Sequence, residues 1–238
     1  MPEITFILPC LNEEKTLPFC INEIQDYIKK HKLDAEILVS DNDSTDNSVS
    51  IAKKYGARVT ICKEKGYGNA LINGTKNAYG KYCIMGDCDG SYDFSNLEEF
   101  IRKSREGYEL VVGNRYSGGI QKKAMPISHK IGVKFLSMFA NFFFCTPIKD
   151  YHCGLRMYRT KSLREINLNA PGMEYASEMI IKAQINKLKM CEVPTILRKD
   201  LRNGKPHLKT IRDGFRHLFL ILNLAIHRKK YESEVKNK

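Results

Sequence analysis

The chain has 238 residues, eight cysteines and a formal net charge of +12. That length buries one full core, and the basic surface is suited to phosphates, anionic lipid headgroups or nucleic acid. The cysteines (10, 20, 62, 83, 88, 145, 153, 191) form no Cys-x-x-Cys pair and have no clustered histidines, which indicates neither a zinc site nor a disulfide framework and fits reduced cytosolic thiols.

In chain order, short β-branched runs alternate with helical patterns. Strands are expected at 4–8, 36–40 and 58–62, with helices at about 16–30 and 46–55 between them. A helix near 68–79 leads to a strand at 82–85, and a helix at 96–106 leads to one at 110–113. This cadence predicts an α/β fold built on a parallel sheet with helices on both faces. Met1-Pro2-Glu3-Ile4 runs straight into the first strand without the layout of a signal peptide, so a cytoplasmic protein is expected. No segment reaches the roughly 18 to 20 apolar residues that cross a bilayer.

The chemistry is concentrated where the strands end. Strand one ends in Leu8-Pro9-Cys10-Leu11-Asn12-Glu13-Glu14 and strand two in Ser40-Asp41-Asn42-Asp43-Ser44-Thr45-Asp46. Lys65-Gly66-Tyr67-Gly68 opens the next helix, and Gly86-Asp87-Cys88-Asp89-Gly90-Ser91 follows the fourth strand. Two carboxylates one residue apart, projecting from the carboxyl edge of an open sheet, suit a divalent cation that holds a diphosphate. Taken alone, the same residues also describe a solvated turn. The Gly-x-Gly is neither a Rossmann fingerprint nor a P-loop, because both the order of elements and the Lys-Ser/Thr ending are missing.

As an ordered set, these motifs closely resemble the family-2 glycosyltransferases of the GT-A fold, especially polyprenyl- and dolichyl-phosphate sugar synthases. The likeness continues through Val112-Gly113-Asn114-Arg115-Tyr116, Asp150-Tyr151-His152-Cys153-Gly154-Leu155-Arg156, Gly172-Met173-Glu174-Tyr175-Ala176-Ser177-Glu178 and Glu192-Val193-Pro194. It implies one GT-A domain over 1–227, with a nucleotide-sugar half (1–115), an acceptor half (116–227) and a charged tail (228–238). It also implies that Pro9, Asn12 and Glu13 floor the nucleotide pocket and that Asp41, with Asn42, meets the base. Lys65, Gly66 and Gly68 would complete the donor site. Asp87 would sit near the ribose and diphosphate, and Asp89 would be the direct ligand of Mg²⁺ or Mn²⁺, whose Lewis acidity helps the leaving group. Asn42 stands where Asp is common and Asp43 where Gly is usual.

In the acceptor half, Arg115 and Arg156 could converge as forks on phosphate, although for either one alone a surface salt bridge is the plainer reading. Asp150, His152 and Arg202 join them as candidate acceptor residues, with His152 otherwise a structural histidine. Residues 117–126 form a flexible basic loop that either closes over substrate or is simply solvated. The phenylalanine-rich helix at 131–145 suits shallow embedding in a bilayer or full burial. Glu174 and Glu178 share one helix face, and Glu178 is either a general base or an orienting group.

Arg198, Lys199, Arg202, Lys205, His207, Lys209, Arg212, Arg216 and His217 precede the apolar stretch 218–226, and Arg228-Lys229-Lys230 follows it. This layout favours an anionic membrane surface over nucleic acid, since no nucleic-acid module or aromatic interleaving accompanies it. Relatives often continue into transmembrane helices, so peripheral attachment or a membrane partner protein is expected here. The leading expectation is therefore an inverting, metal-dependent glycosyltransferase carrying a sugar from a nucleoside diphosphate, UDP preferred, to polyprenyl phosphate at the cytoplasmic membrane face. The alternatives are transfer to a glycan or glycolipid hydroxyl, and a nucleotide-binding membrane adaptor without activity.

Overall fold

The computed structural model of the chain describes residues 1–202, 210–228 and 231. Lys205, His207, Lys209, Lys229, Lys230 and nearly all of the expected tail lie outside the described residues. Three βα units open the chain: β1 (Ile4–Cys10) and α1 (Leu17–His31), β2 (Ala35–Asp41) and α2 (Ser48–Lys54), β3 (Arg58–Ile61) and α3 (Tyr67–Asn77). Then come β4 (Tyr82–Met85), α4 (Glu98–Arg105), β5 (Leu110–Asn114) and the single turn α5 (Arg115–Gly118). The second half holds α6 (Ile127–Phe144), β6 (Arg156–Arg159), α7 (Thr160–Glu165), α8 (Tyr175–Ile185), β7 (Met190–Pro194) and α9 (Thr210–Ile226).

Among the described residues seven strands form one sheet in the order β3-β2-β1-β4-β6-β5-β7. β3, β2, β1 and β4 run parallel, β6 is antiparallel to both its neighbours, and β5 and β7 are parallel. The expected mostly parallel α/β architecture of the GT-A type is thus present. All seven residues of β1 are buried, as expected of a central parallel strand covered on both faces. In α1 the buried residues Leu17, Cys20, Ile21 and Ile24 recur at helical spacing against that sheet, and Lys32 closes the helix in the left-handed conformation.

The register positions the site. Cys10 pairs with Asp41 and Ile7 with Met85, so β1, β2 and β4 end at one edge and deliver their polar loops together. β6 and β7 are not legible from alternating hydrophobicity. β6 reads Arg-Met-Tyr-Arg, yet Arg156, Met157 and Tyr158 are fully buried. A buried arginine thus conceals a central strand.

Helix α6 begins at Ile127 rather than 131, because Pro126 supplies the extended residue before the first turn. Val133, Ser137, Ala140 and Phe144 face the protein, whereas Ile127, Ile131, Phe135, Met138 and Phe142 are exposed. α9 packs against α6 and leaves Phe215, Phe219 and Ile226 exposed. The expected full burial therefore holds for one face only, and the other face is apolar and exposed. No helix among the described residues is long and apolar enough to cross a membrane. Phe144→Ala should cost about 3–5 kcal/mol in urea unfolding through the cavity it leaves, while Phe142→Ala should change stability by less than about 0.5 kcal/mol.

Candidate active site

The turn after β1 and the loop after β2 are locked together by Asn12. Its main-chain N–H donates to Ser44 Oγ (2.9 Å), and its side-chain oxygen accepts from the Thr45 amide (2.8 Å). Asn12 itself is held at φ 57, a left-handed conformation that asparagine tolerates. Pro9 is buried in β1 and leaves its carbonyl to the Cys88 thiol (3.0 Å).

At the end of β2, Asp41 is 2% exposed; its Oδ2 accepts from the Ser44 amide (3.1 Å), and its buried Oδ1 has no hydrogen-bond partner among the described residues. An orphaned acceptor at this edge fits a donor from a nucleotide base. Asn42 donates to the carbonyls of Cys62 (3.2 Å) and Glu64 (2.8 Å) and accepts from the Gly66 amide (2.7 Å). A carboxylate could not donate those bonds, which accounts for Asn where Asp is common. Asp43 adopts φ 72, the conformation for which Gly is usual.

The glycines of Lys-Gly-x-Gly serve packing. A Cβ on Gly66, at φ 137, would lie 2.1 Å from the Pro171 carbonyl oxygen, and one on Gly68 2.0 Å from that of Ala170. The loop 170–172 therefore seats on the start of α3. Lys65 is exposed and lies 3.6 Å from Asp43.

Beyond β4, Asp87 accepts from the Tyr67 hydroxyl (2.8 Å), and Asp89 accepts from the Ser91 amide (2.9 Å) and from Arg202 Nη2 (2.6 Å). Arg202 Nη1 also donates to Glu13 Oε1 (3.1 Å), whose second oxygen accepts from Thr16 (2.9 Å). A positive φ at Gly90 and its missing Cβ admit Leu201, whose Cδ1 would lie 2.6 Å from a Cβ there. Desolvation, then the neighbouring Asp89 charge, pushes Asp87 up to about 7, and desolvation also raises Glu13. Buried hard oxygens already bridged by a cation fit Mg²⁺ or Mn²⁺. Among the described residues no group of three or more His, Cys, Asp or Glu side chains is arranged to hold a metal unaided, so diphosphate oxygens would have to complete the shell.

The acceptor-side candidates do not converge as phosphate forks. Arg115 makes a buried bidentate pair with Asp150 (2.8 and 2.7 Å), and Asp150 also accepts from the Arg115 amide (3.0 Å). Glu192, in the Glu-Val-Pro motif, orients that loop by accepting from the amides of Lys149 and Asp150 (both 2.7 Å). Arg156 is fully buried, and its guanidinium donates to the carbonyls of Tyr151 (2.7 Å), Cys153 (2.9 Å) and Ala176 (3.0 Å).

Glu178, 1% exposed, pairs with Lys182 (2.7 Å) and accepts from the amides of Asn169 and Ala170 (3.0 and 2.8 Å). With both oxygens engaged, it anchors loop 167–170. His152 Nε2 lies 3.3 Å from His217 Nδ1, which contacts Ser177 Oγ at 2.8 Å. Burial drives His152 well below the ordinary histidine range and His217 down to about 4, so both rings are neutral near pH 7.

Two tyrosines were absent from the sequence-derived site. Tyr67 bonds Asp87, and the Tyr92 hydroxyl accepts from the Gly154 amide (2.6 Å), tying the acceptor loop to the aspartate turn. Their signal was their place inside Gly-Tyr-Gly and directly after Asp-Gly-Ser. The loop 117–126 is not simply solvated: Ile120 bridges Leu197, and Gln121 donates to the Leu197 carbonyl (2.9 Å).

Two outcomes are expected. Glu178→Gln, which leaves the Lys182 ammonium buried without its anion, should lower unfolding free energy by about 3–5 kcal/mol in denaturant titration. Because the folded-state pKa of Asp87 lies above its ordinary 3.8, its contribution to stability is complete below that value and is lost as pH rises through about 7. The metal-free Tm should therefore fall between about pH 4 and pH 7, and Asp87→Asn should flatten that fall in scanning calorimetry.

Comparison with known proteins agrees with this geometry. The model of Glycosyl transferase family 2 matches residues 5–167. The low-salt glycan biosynthesis hexosyltransferase Agl6 of Haloferax volcanii is 32% identical over 225 residues, 93% of this chain and 54% of that protein. Glycosyltransferase AglJ of the same organism is 25% identical over 89% of this chain and 68% of its own length. The chain thus spans about half of the first relative and two thirds of the second. Glucosyl-3-phosphoglycerate synthase from Mycobacterium tuberculosis, solved with Mn²⁺, UDP-glucose and phosphoglyceric acid, superposes with a TM-score of 0.75 at 19% identity, covering 94% of this chain and 80% of that one. With a family match over most of its length and the sheet-edge carboxylates in place, the chain belongs to glycosyl transferase family 2.

Proposed function

We infer that this domain transfers a hexosyl group from a UDP-sugar to polyprenyl phosphate at the inner face of a membrane. The observation that carries the reading is the gathering of Glu13 and Asp89 on one guanidinium, with Asp87 two residues before Asp89 and the orphaned acceptor of Asp41 at the same sheet edge. Asp89, with Asp87 beside it, would hold Mg²⁺ or Mn²⁺ against the diphosphate, and Asp41 would take a base N–H. When bound, the cation stabilises the charge of the departing nucleoside diphosphate. The protein with Mn²⁺ and UDP-glucose named above supports that choice of donor and ion.

The acceptor assignment rests on two features. An ionised phosphate needs no base, and Glu178 is tied up by Lys182 and two amides. The exposed apolar rows of α6 and α9, with Lys130 and Lys134 exposed beside them, suit an anionic lipid surface. Arg115 and Arg156 act in this reading as positioning residues that shape the acceptor loop. Transfer to a sugar hydroxyl is the second reading; the buried Nδ1 of His152, which lacks a partner among the described residues, could accept a hydrogen bond from such a hydroxyl, while burial lowers its affinity for a proton.

Incubation with a panel of nucleotide sugars and short polyprenyl phosphate should yield a lipid-linked monosaccharide by mass, abolished by chelator and by Asp89→Ala. A product formed only on hydroxyl acceptors, with a loss of roughly 10²- to 10⁴-fold in His152→Asn, would replace the lead reading by the second. The protein should co-sediment with anionic vesicles at low salt, and Phe142→Ser with Phe219→Ser should release it while UDP binding is retained.

A further inference from the structure

The segment after β7 is a strap laid across the aspartate turn. Its main chain pairs with that turn at two points, Arg198 N to the Ser91 carbonyl and Leu201 N to the Asp89 carbonyl (both 2.8 Å). At its root, Arg198 is ion-paired to Glu23 (2.7 Å) and Asp93 (2.5 Å). At its far end, Arg202 reaches into the pocket and bridges Asp89 (2.6 Å) and Glu13 (3.1 Å). The two ends differ in finish. Arg198 grips two carboxylates outside the pocket, whereas Arg202 binds the carboxylate that the donor reading gives to the metal, and its buried Nε–H has no hydrogen-bond partner among the described residues.

We propose that Arg202 is an exchangeable counter-cation: it neutralises Asp89 and Glu13 in the donor-free protein, opposes binding of a divalent cation on its own, and moves to diphosphate oxygens when cation and nucleotide arrive together. This rests on the metal-dependent donor reading above. A guanidinium at 2.6 Å from Asp89 Oδ2 and a divalent cation on the same oxygen exclude one another by charge and by space. A diphosphate brings the anionic oxygens that allow both to remain, since a guanidinium fork suits phosphate as well as carboxylate. The root at Arg198 keeps the strap in place while the Arg202 side chain exchanges partners. The device couples the two ligands, so that each strengthens the other's binding.

The test is a binding measurement. Titration of Mn²⁺ without nucleotide, followed by electron paramagnetic resonance of the free ion, should show Arg202→Gln binding Mn²⁺ roughly tenfold more tightly than wild type, the scale of losing one charge-assisted competitor. Calorimetry of UDP at saturating Mn²⁺ should show the same variant binding UDP roughly tenfold more weakly. Arg202→Lys should fall between the two for both ligands, because it keeps the charge and loses the fork. Unchanged or weaker Mn²⁺ binding in Arg202→Gln, with Mn²⁺-dependent UDP binding intact in wild type, overturns the exchange alone. Absence of Mn²⁺-dependent UDP binding in wild type overturns the donor reading and the exchange with it.

Discussion

Like charges held close together in a water-poor pocket need a cation, and much of this structure answers that need. Asp87, Asp89 and Glu13 come from two adjacent parallel strands whose register forces their loops to one edge. Desolvation raises Asp87 and Glu13, so the pocket favours a proton, a guanidinium or a metal over emptiness. The strap bearing Arg202, the glycine that admits Leu201 and the Tyr67 hydroxyl on Asp87 all follow from accommodating that charge.

The second half of the chain solves a different problem, which is to hold irregular loops rigidly without water. Its buried and half-buried charged groups often bind main-chain atoms. Arg156 gathers three carbonyls, Glu178 gathers two amides, and Glu192 gathers two more. Each is a charged side chain serving as a cap for backbone that has left regular structure. The Arg115–Asp150 pair adds a bidentate clasp between β5's end and the acceptor loop. These groups fix where loops 150–154 and 167–172 run.

Helices α6 and α9 show how one element can serve two environments. Their inner faces complete the core through Val133, Phe144, Ile221 and Leu224, while their outer faces leave phenylalanines exposed. An apolar outer face is costly in water unless something covers it. In the proposed reading a lipid surface covers it.

Local patterning in the sequence was enough for the fold class, the positions of the first five strands and the edge on which the polar motifs meet. These follow from local patterning: strand and helix periods, turn residues after each strand, and the Asp-x-Asp pair. Only the three-dimensional arrangement shows which charged residues are buried on non-local partners. Arg115, Arg156 and Glu178 carry the residue types a phosphate site or a base would need, but burial and non-local partners assign them to backbone and ion pairs. Spacing cannot report those partners, because Arg115 meets Asp150 across 35 residues and Arg202 meets Asp89 across 113. Strand β6 was hidden for the same reason, since an arginine looks like surface until the three carbonyls that solvate it are brought together by the fold.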